Sequence, residues 1–121
     1  MISIVDDNES VREATKRLLR SFGYGAATFA TAEEFLQSDE LNDTSCLITD
    51  VQMPGLSGVE LQSRLIAQGR RMPMIFVTAS TEEKTRARAL DAGAVGFLSK
   101  PINVDRLIET IHTALAGTVE P

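Results

Sequence analysis

The sequence predicts an α/β domain of the doubly wound kind, with one βα unit repeated five times and helices on both faces of a parallel sheet. Three observations carry this. Apolar periodicity switches five times between short runs and helical stripes, with little linker between. Three helix starts are marked by a hydroxyl residue with a glutamate three positions later. Two internal apolar runs are compact and do not alternate with polar residues, as expected of strands covered on both faces. Strand and helix in this strict alternation imply right-handed crossovers between parallel strands.

Each element can be justified in turn. Ile2 to Val5 is a short strand, and Val11, Ala14, Leu18, Leu19 and Phe22 mark one face of a helix that Gly23 stops. A weaker strand follows at Ala26 to Ala30. Thr31 with Glu34 opens the second helix, and the stretch from Ser38 to Ser45 is a polar loop. Cys46-Leu47-Ile48 is the third strand, and Ser57 with Glu60 opens the third helix. Met74-Ile75-Phe76-Val77 is the fourth strand, and Ser80 with Glu83 opens a helix from Thr81 to Ala92. The fifth strand is Val95 to Leu98. The last helix begins near Asn103 as N-cap, turns Val104, Leu107, Ile108, Ile111 and Leu115 inward, and ends at Gly117. One domain over 1–117 is expected, with 118–121 as a tail or the start of a linker.

Composition narrows the class. The 121 residues carry 12 Lys+Arg against 17 Asp+Glu, a net charge of −5, and 43% are hydrophobic. That is one domain with a real core. A lone Cys46 cannot form an internal bridge; it reads as a small buried hydrophobe and points to the cytoplasm. No apolar run approaches the roughly 20 residues that cross a bilayer, and Asp6-Asp7 interrupts the only start at which a signal segment could form. The acidic balance argues against direct nucleic-acid binding, whose affinity comes from Lys and Arg on phosphates. Gly23-Tyr24-Gly25 lacks the third glycine of a dinucleotide loop, and no Walker lysine loop exists. Arg12, Lys16 and Arg20 read as a solvated basic stripe, and His112 as exposed and structural.

In open parallel sheets, ligands bind beyond the carboxyl ends of the strands. Asp6 and Asp7 follow the first strand, Asp50 the third, Thr78 the fourth, and Lys100-Pro101 the fifth. Singly each has a bland explanation: a helix-dipole partner, a turn carboxylate, a strand end, a solvated cation. Together they deliver three carboxylates, a hydroxyl and an ammonium to one edge. Converging carboxylates repel, and a hard divalent ion, Mg²⁺ or Mn²⁺, relieves them. This set fits phosphoryl transfer, which depends on positioning and charge neutralisation. Asp50 would be the nucleophile that forms an acyl phosphate. Asp6, Asp7 and the backbone carbonyl of Gln52 would complete the metal site. Lys100 would pair with the phosphoryl oxygens and the Thr78 hydroxyl would donate to one of them.

Ile4-Val5-Asp6-Asp7-Asn8, Leu47 through Gly58, Ile75-Phe76-Val77-Thr78-Ala79 and Ala92 through Pro101 closely resemble the receiver domain of two-component response regulators. Asp50-Val51-Gln52-Met53-Pro54-Gly55-Leu56-Ser57-Gly58 resembles most the FixJ type. The resemblance implies a flavodoxin-like sheet of order 2-1-3-4-5. It implies that Asp50 takes phosphate from a histidine of a sensor kinase with Mg²⁺ at Asp6, Asp7 and Asp50, the domain catalysing its own phosphorylation and dephosphorylation without being an enzyme in the ordinary sense. It also implies a cis Lys100-Pro101 peptide and an aromatic switch at Phe97, whose ring turns inward as Thr78 moves; the bland alternative for Phe97 is a core ring. The phosphorylated form is expected to form a homodimer through the face made by the fourth helix, the fifth strand and the last helix. A C-terminal helix-turn-helix would then supply the DNA binding and transcription regulation that this piece lacks; the alternative is a stand-alone receiver that does not bind DNA. The basic stripe borders the acidic pocket, which allows a second role in kinase docking.

The fourth helix carries one large apolar residue, Leu90, among Ala87, Ala89 and Ala92, so weak attachment and high mobility are expected. Two rival readings remain. A phosphatase of the haloacid dehalogenase type wants a second Asp two residues after the nucleophile, where this chain has Gln52, and the chain leaves no room for a substrate cap. A purely structural interaction domain requires a lesion among the strand-end residues, and none is visible.

Overall fold

In the computed structural model, residues 1–79 and 82–117 are described. The strands are β1 (Ile2–Val5), β2 (Ala26–Phe29), β3 (Cys46–Thr49), β4 (Met74–Thr78) and β5 (Gly96–Ser99). The helices are α1 (Glu9–Ser21), α2 (Ala32–Leu36), α3 (Gly58–Ala67), α4 (Glu83–Asp91) and α5 (Val104–Gly117). All pairings are parallel, and the sheet order is β2-β1-β3-β4-β5, as expected.

Side chains alternate across the sheet, so one strand feeds two cores. Ile48 joins Ile4, Leu19, Leu107 and Ile111 beneath α1 and α5. Its neighbour Leu47 joins Phe35, Leu61, Leu65 and Phe76 beneath α2 and α3. The central strands β1, β3 and β4 are buried along their whole length, which is why their sequences show no alternation.

Helix starts follow the hydroxyl signals with instructive differences. Ser57 and Glu60 form the complete reciprocal box, each side chain bonded to the other's backbone amide. Thr31 accepts from the Glu34 amide at 3.1 Å, but the Glu34 carboxylate reaches the Ala30 amide instead, at 3.4 Å. Ser80 and Thr81 lie outside the described residues; α4 begins at Glu83 with Glu82 in the cap position and no side-chain cap bond. Asn103 caps α5 by accepting from the Arg106 amide at 3.0 Å. The cap of α1 is Asn8, an assignment the hydroxyl pattern missed.

Three residues expected to face inward do not: Ala14 is exposed on α1, and Phe22 and Val104 stand at helix ends. Phe22 sits at the end of α1 and is 51% exposed. The inward position belongs to Thr15, a polar residue on the apolar face, whose hydroxyl donates to the Val11 carbonyl at 2.8 Å and so carries no unmet bond into the core. Val104 is likewise 41% exposed, because the first residue of α5 points off its end; Ala114 is buried and Leu115 half-buried. The polar loop after α2 forms a short 3₁₀ turn, Asp39–Asp43, that buries Leu41.

Lys100-Pro101 is cis. Cys46 is buried, and burial pushes its thiol up to about 12. The thiolate is the reactive form. Iodoacetamide at pH 8 should therefore leave the folded domain unmodified and label it fully in urea, as read by mass; labelling of both states at equal rate would contradict this burial.

Candidate functional site

The parallel pairing of β1 with β3 places Val5 opposite Thr49, so the next residues, Asp6 and Asp50, emerge side by side beyond the sheet. Both are buried, at 5% and 8% exposure. Asp7 follows on the same loop and is exposed. One carboxylate oxygen from each of the three lies within 4.8 Å of the others.

β5 brings the opposing charge. Ser99 pairs with Thr78, and the Lys100 amide donates to the Thr78 carbonyl at 2.8 Å, fixing where the lysine leaves the sheet. Its ammonium donates to Asp50 Oδ2 at 2.8 Å and to Asp6 Oδ2 at 3.0 Å. Burial alone would lower the Lys100 ammonium, but its bonds to Asp50 and Asp6 outweigh that, and the group is held above its ordinary value.

The remaining carboxylate oxygens are held by backbone. Asp50 Oδ1 accepts from the Gln52 amide at 3.3 Å, so the loop after β3 turns back on the carboxylate it follows. Asp6 Oδ1 accepts from the Asn8 amide at 2.9 Å. The Asp6 carbonyl accepts from Arg12 Nη1 at 2.9 Å. Arg12 is therefore not a member of a purely solvated stripe: it is half-buried and braces the acidic loop.

Thr78 closes β4 at 1% exposure. Phe97 is half-buried and stands against Phe76, ring centroids 5.9 Å apart with planes tilted by 35°. The structure thus brings Asp6, Asp7, Asp50 and Lys100 into one cluster, with Thr78 and Gln52 on the adjoining strand end and loop. His112 stands apart, exposed, at the other end of α5, with its ring edge-on to Tyr24 at 6.2 Å.

Two supporting residues escaped the sequence reading. Gly58 donates its amide to the Val51 carbonyl at 2.8 Å, and a Cβ there would run into the Asp50 carbonyl oxygen. Glu33 reaches from α2 to accept from the Leu56 amide at 3.3 Å, beside Gly55, whose φ of +77° suits glycine. Gly58 closes the Leu47–Gly58 stretch, but nothing in a one-dimensional pattern says which glycine a close approach requires.

Three carboxylates against one ammonium leave two formal negative charges in a small, oxygen-only pocket. Such a donor set suits a hard divalent cation better than a soft one.

Comparison with known proteins gives one consistent result. The family model described as the response regulator receiver domain matches residues 2–112. Nodulation protein W of Bradyrhizobium diazoefficiens is 38% identical over 114 residues, covering 94% of this chain and 50% of that protein. Transcriptional regulatory protein FixJ of the same organism is 36% identical over 114 residues, covering 94% of this chain and 56% of the other. The crystal structure of FixJ-N superposes with a TM-score of 0.87 at 34% identity, covering 99% of this chain and 96% of that one. The chain spans about half the length of these two full-length relatives.

Proposed function

From this chain's membership of the response regulator receiver-domain family, we propose that it is a phosphorylation-dependent signalling switch in which Asp50 accepts a phosphoryl group from a sensor histidine kinase. The observation that carries the reading is the Lys100 ammonium seated between Asp50 and Asp6 beside Asp7. A structural domain has no use for two buried carboxylates sharing one cation, because desolvating them costs more than an apolar pair would.

Asp6, Asp7, Asp50 and the Gln52 carbonyl would hold Mg²⁺, with Mn²⁺ as an alternative. Bound there, the ion would neutralise charge on the phosphoryl oxygens. The protein's own residues do the rest. The Gln52 amide orients the Asp50 carboxylate; an Asp50 oxygen attacks phosphorus, the P–N bond to the donor imidazole breaks, and its electron pair leaves on nitrogen. Lys100 follows the new negative charge onto a phosphoryl oxygen, and the Thr78 hydroxyl donates to another. Return of water to the acyl phosphate releases inorganic phosphate and restores the carboxylate.

Movement of Thr78 would let Phe97 turn inward, changing the face made by α4, β5 and α5, through which two copies pair. Residues 1–117 would form the receiver unit, with 118–121 leading to an output region of a longer cytoplasmic protein that regulates transcription. The name of FixJ as a transcriptional regulatory protein, and its greater length, support this. No helix among the described residues is long and apolar enough to cross a membrane. The haloacid dehalogenase reading is disfavoured, since the position two residues after Asp50 is Gln52.

Acetyl phosphate with Mg²⁺ should add one phosphoryl group, read by intact mass, and Asp50→Asn should abolish the addition. Fluoroberyllate with Mg²⁺ should shift the backbone resonances of Gln52, Thr78 and Phe97 in the parent chain and none of them in Asp50→Asn. Phosphate retained by the variant, or sustained turnover of simple phosphate esters, would sink the proposal.

A further inference from the structure

The attachment of α4 is lopsided. Its buried residue is Ala89, at 0% exposure, in the C-terminal half. In the N-terminal half Glu83, Lys84, Arg86 and Ala87 are exposed and Thr85 is half-buried; in the C-terminal half Arg88 and Asp91 are exposed, but Leu90 is half-buried beside Ala89. Among the described residues no side-chain cap bond holds the first turn, and the Arg86–Glu83 pair at 3.3 Å is solvent-exposed, a contact of little worth.

Gln62 faces this helix from α3. It sits on the apolar face of α3 between Leu61 and Leu65 and is 3% exposed, a place where an amide is costly unless bonded. Its Nε2 donates to the Ala89 carbonyl at 3.0 Å in a buried bond. The same carbonyl accepts the Ala94 amide at 3.0 Å, the bond that closes the end of α4. The side chain of α3 is thus fastened to the terminal backbone turn of α4. A groove of about 660 Å³ lies alongside, bordered by Gln62, Leu65, Ala92 and Val95, while the Ala89 methyl packs into the core that holds Leu61 and Leu65.

We propose that Gln62 is a positioning residue that pins the C-terminal end of α4 through the Ala89 carbonyl and makes that end the pivot of the helix. The other end is the one joined to Thr78 through the β4–α4 connection. A pull originating at Thr78 then swings the N-terminal end of α4 about the pin, instead of sliding the whole helix. This last step rests on the receiver reading above; the pin itself does not.

Native-state hydrogen exchange tests it in two arms. In the unliganded parent chain, the amides of Leu90, Asp91 and Ala92 should exchange at least ten-fold more slowly than those of Arg86, Ala87 and Arg88, after correction for intrinsic rates. Gln62→Met keeps the chain length and removes the donor; it should erase that difference while leaving α1 unchanged. A uniform rate along parent α4, or a difference that survives in Gln62→Met, overturns the pin. Should Gln62→Met not fold, Gln62→Leu and the parent gradient decide. With fluoroberyllate and Mg²⁺, the change in exchange should concentrate on Glu83 to Arg88 in the parent chain and spread along the helix in Gln62→Met; an even change in the parent overturns the swing. If Gln52 and Lys100 resonances do not respond to fluoroberyllate at all, the receiver reading fails, while the unliganded gradient still judges the pin.

Discussion

Replacing Lys100 by methionine is expected to destabilise the unliganded domain by about 3 kcal/mol, the usual cost of removing one partner from a buried ion pair. Asp6 and Asp50, 7% and 11% exposed in their side chains, would then face each other with no cation between them. The sign of the pH dependence is diagnostic. In the parent chain Lys100 is held above its ordinary value of 10.5, so its contribution is complete below that pH and fades as pH rises through the raised value. In Lys100→Met that fading at high pH should be absent, because the variant has no ammonium there to titrate. Mg²⁺ should restore more stability to the variant than to the parent, because it replaces the missing positive charge. Urea titrations from about pH 8 to about pH 11, with and without Mg²⁺, measure all three. A variant as stable as the parent at pH 8 would mean that the lysine does not hold the carboxylates together.

Gly58→Ala should be nearly as damaging, by about 3 kcal/mol at the upper end of overpacking penalties. Its Cβ would enter the space of the Asp50 carbonyl oxygen and meet the Phe76 ring edge at 3.0 Å. Neither neighbour can yield easily. One is main chain at the end of a buried strand, and the other is a ring at 0% exposure. The first turn of α3 would be lifted off Val51, and Asp50 would lose its alignment with Lys100. Gly25→Ala provides the control: a Cβ there meets nothing within 4 Å, so the variant should match or slightly exceed the parent in stability. Equal urea midpoints for the two variants would contradict the close approach at Gly58.

The sheet and the strand-end cluster were legible because they follow from one-dimensional rules. Alternating periods gave the βα order, and residues immediately after strands must gather at one edge. Thr15 and Phe22 show where such rules stop. Type suggested that the ring was inside and gave no sign of the Thr15 hydroxyl, whereas position along α1, with Phe22 beyond its last turn, put the ring out and the hydroxyl in. Arg12 shows a second limit. Its spacing with Lys16 and Arg20 is that of a solvated stripe, but its reach to the Asp6 carbonyl depends on how α1 leaves the loop, which spacing does not encode. Gln62 shows a third, since an amide on an apolar face declares that it has a partner without saying which.

The packing of Tyr24 against His112 decides what optical methods can see. The chain has one tyrosine and no tryptophan. Tyr24 lies just before β2, at the opposite end of the strands from Asp50, a separation of at least about 13 Å for four extended residues. Intrinsic fluorescence of this protein therefore watches the seam between the end of α1 and α5 and is blind to local events among the carboxylates. A change in tyrosine emission on adding fluoroberyllate would report that the disturbance has crossed the full length of the sheet, which makes the native chromophore a long-range detector that needs no engineered label.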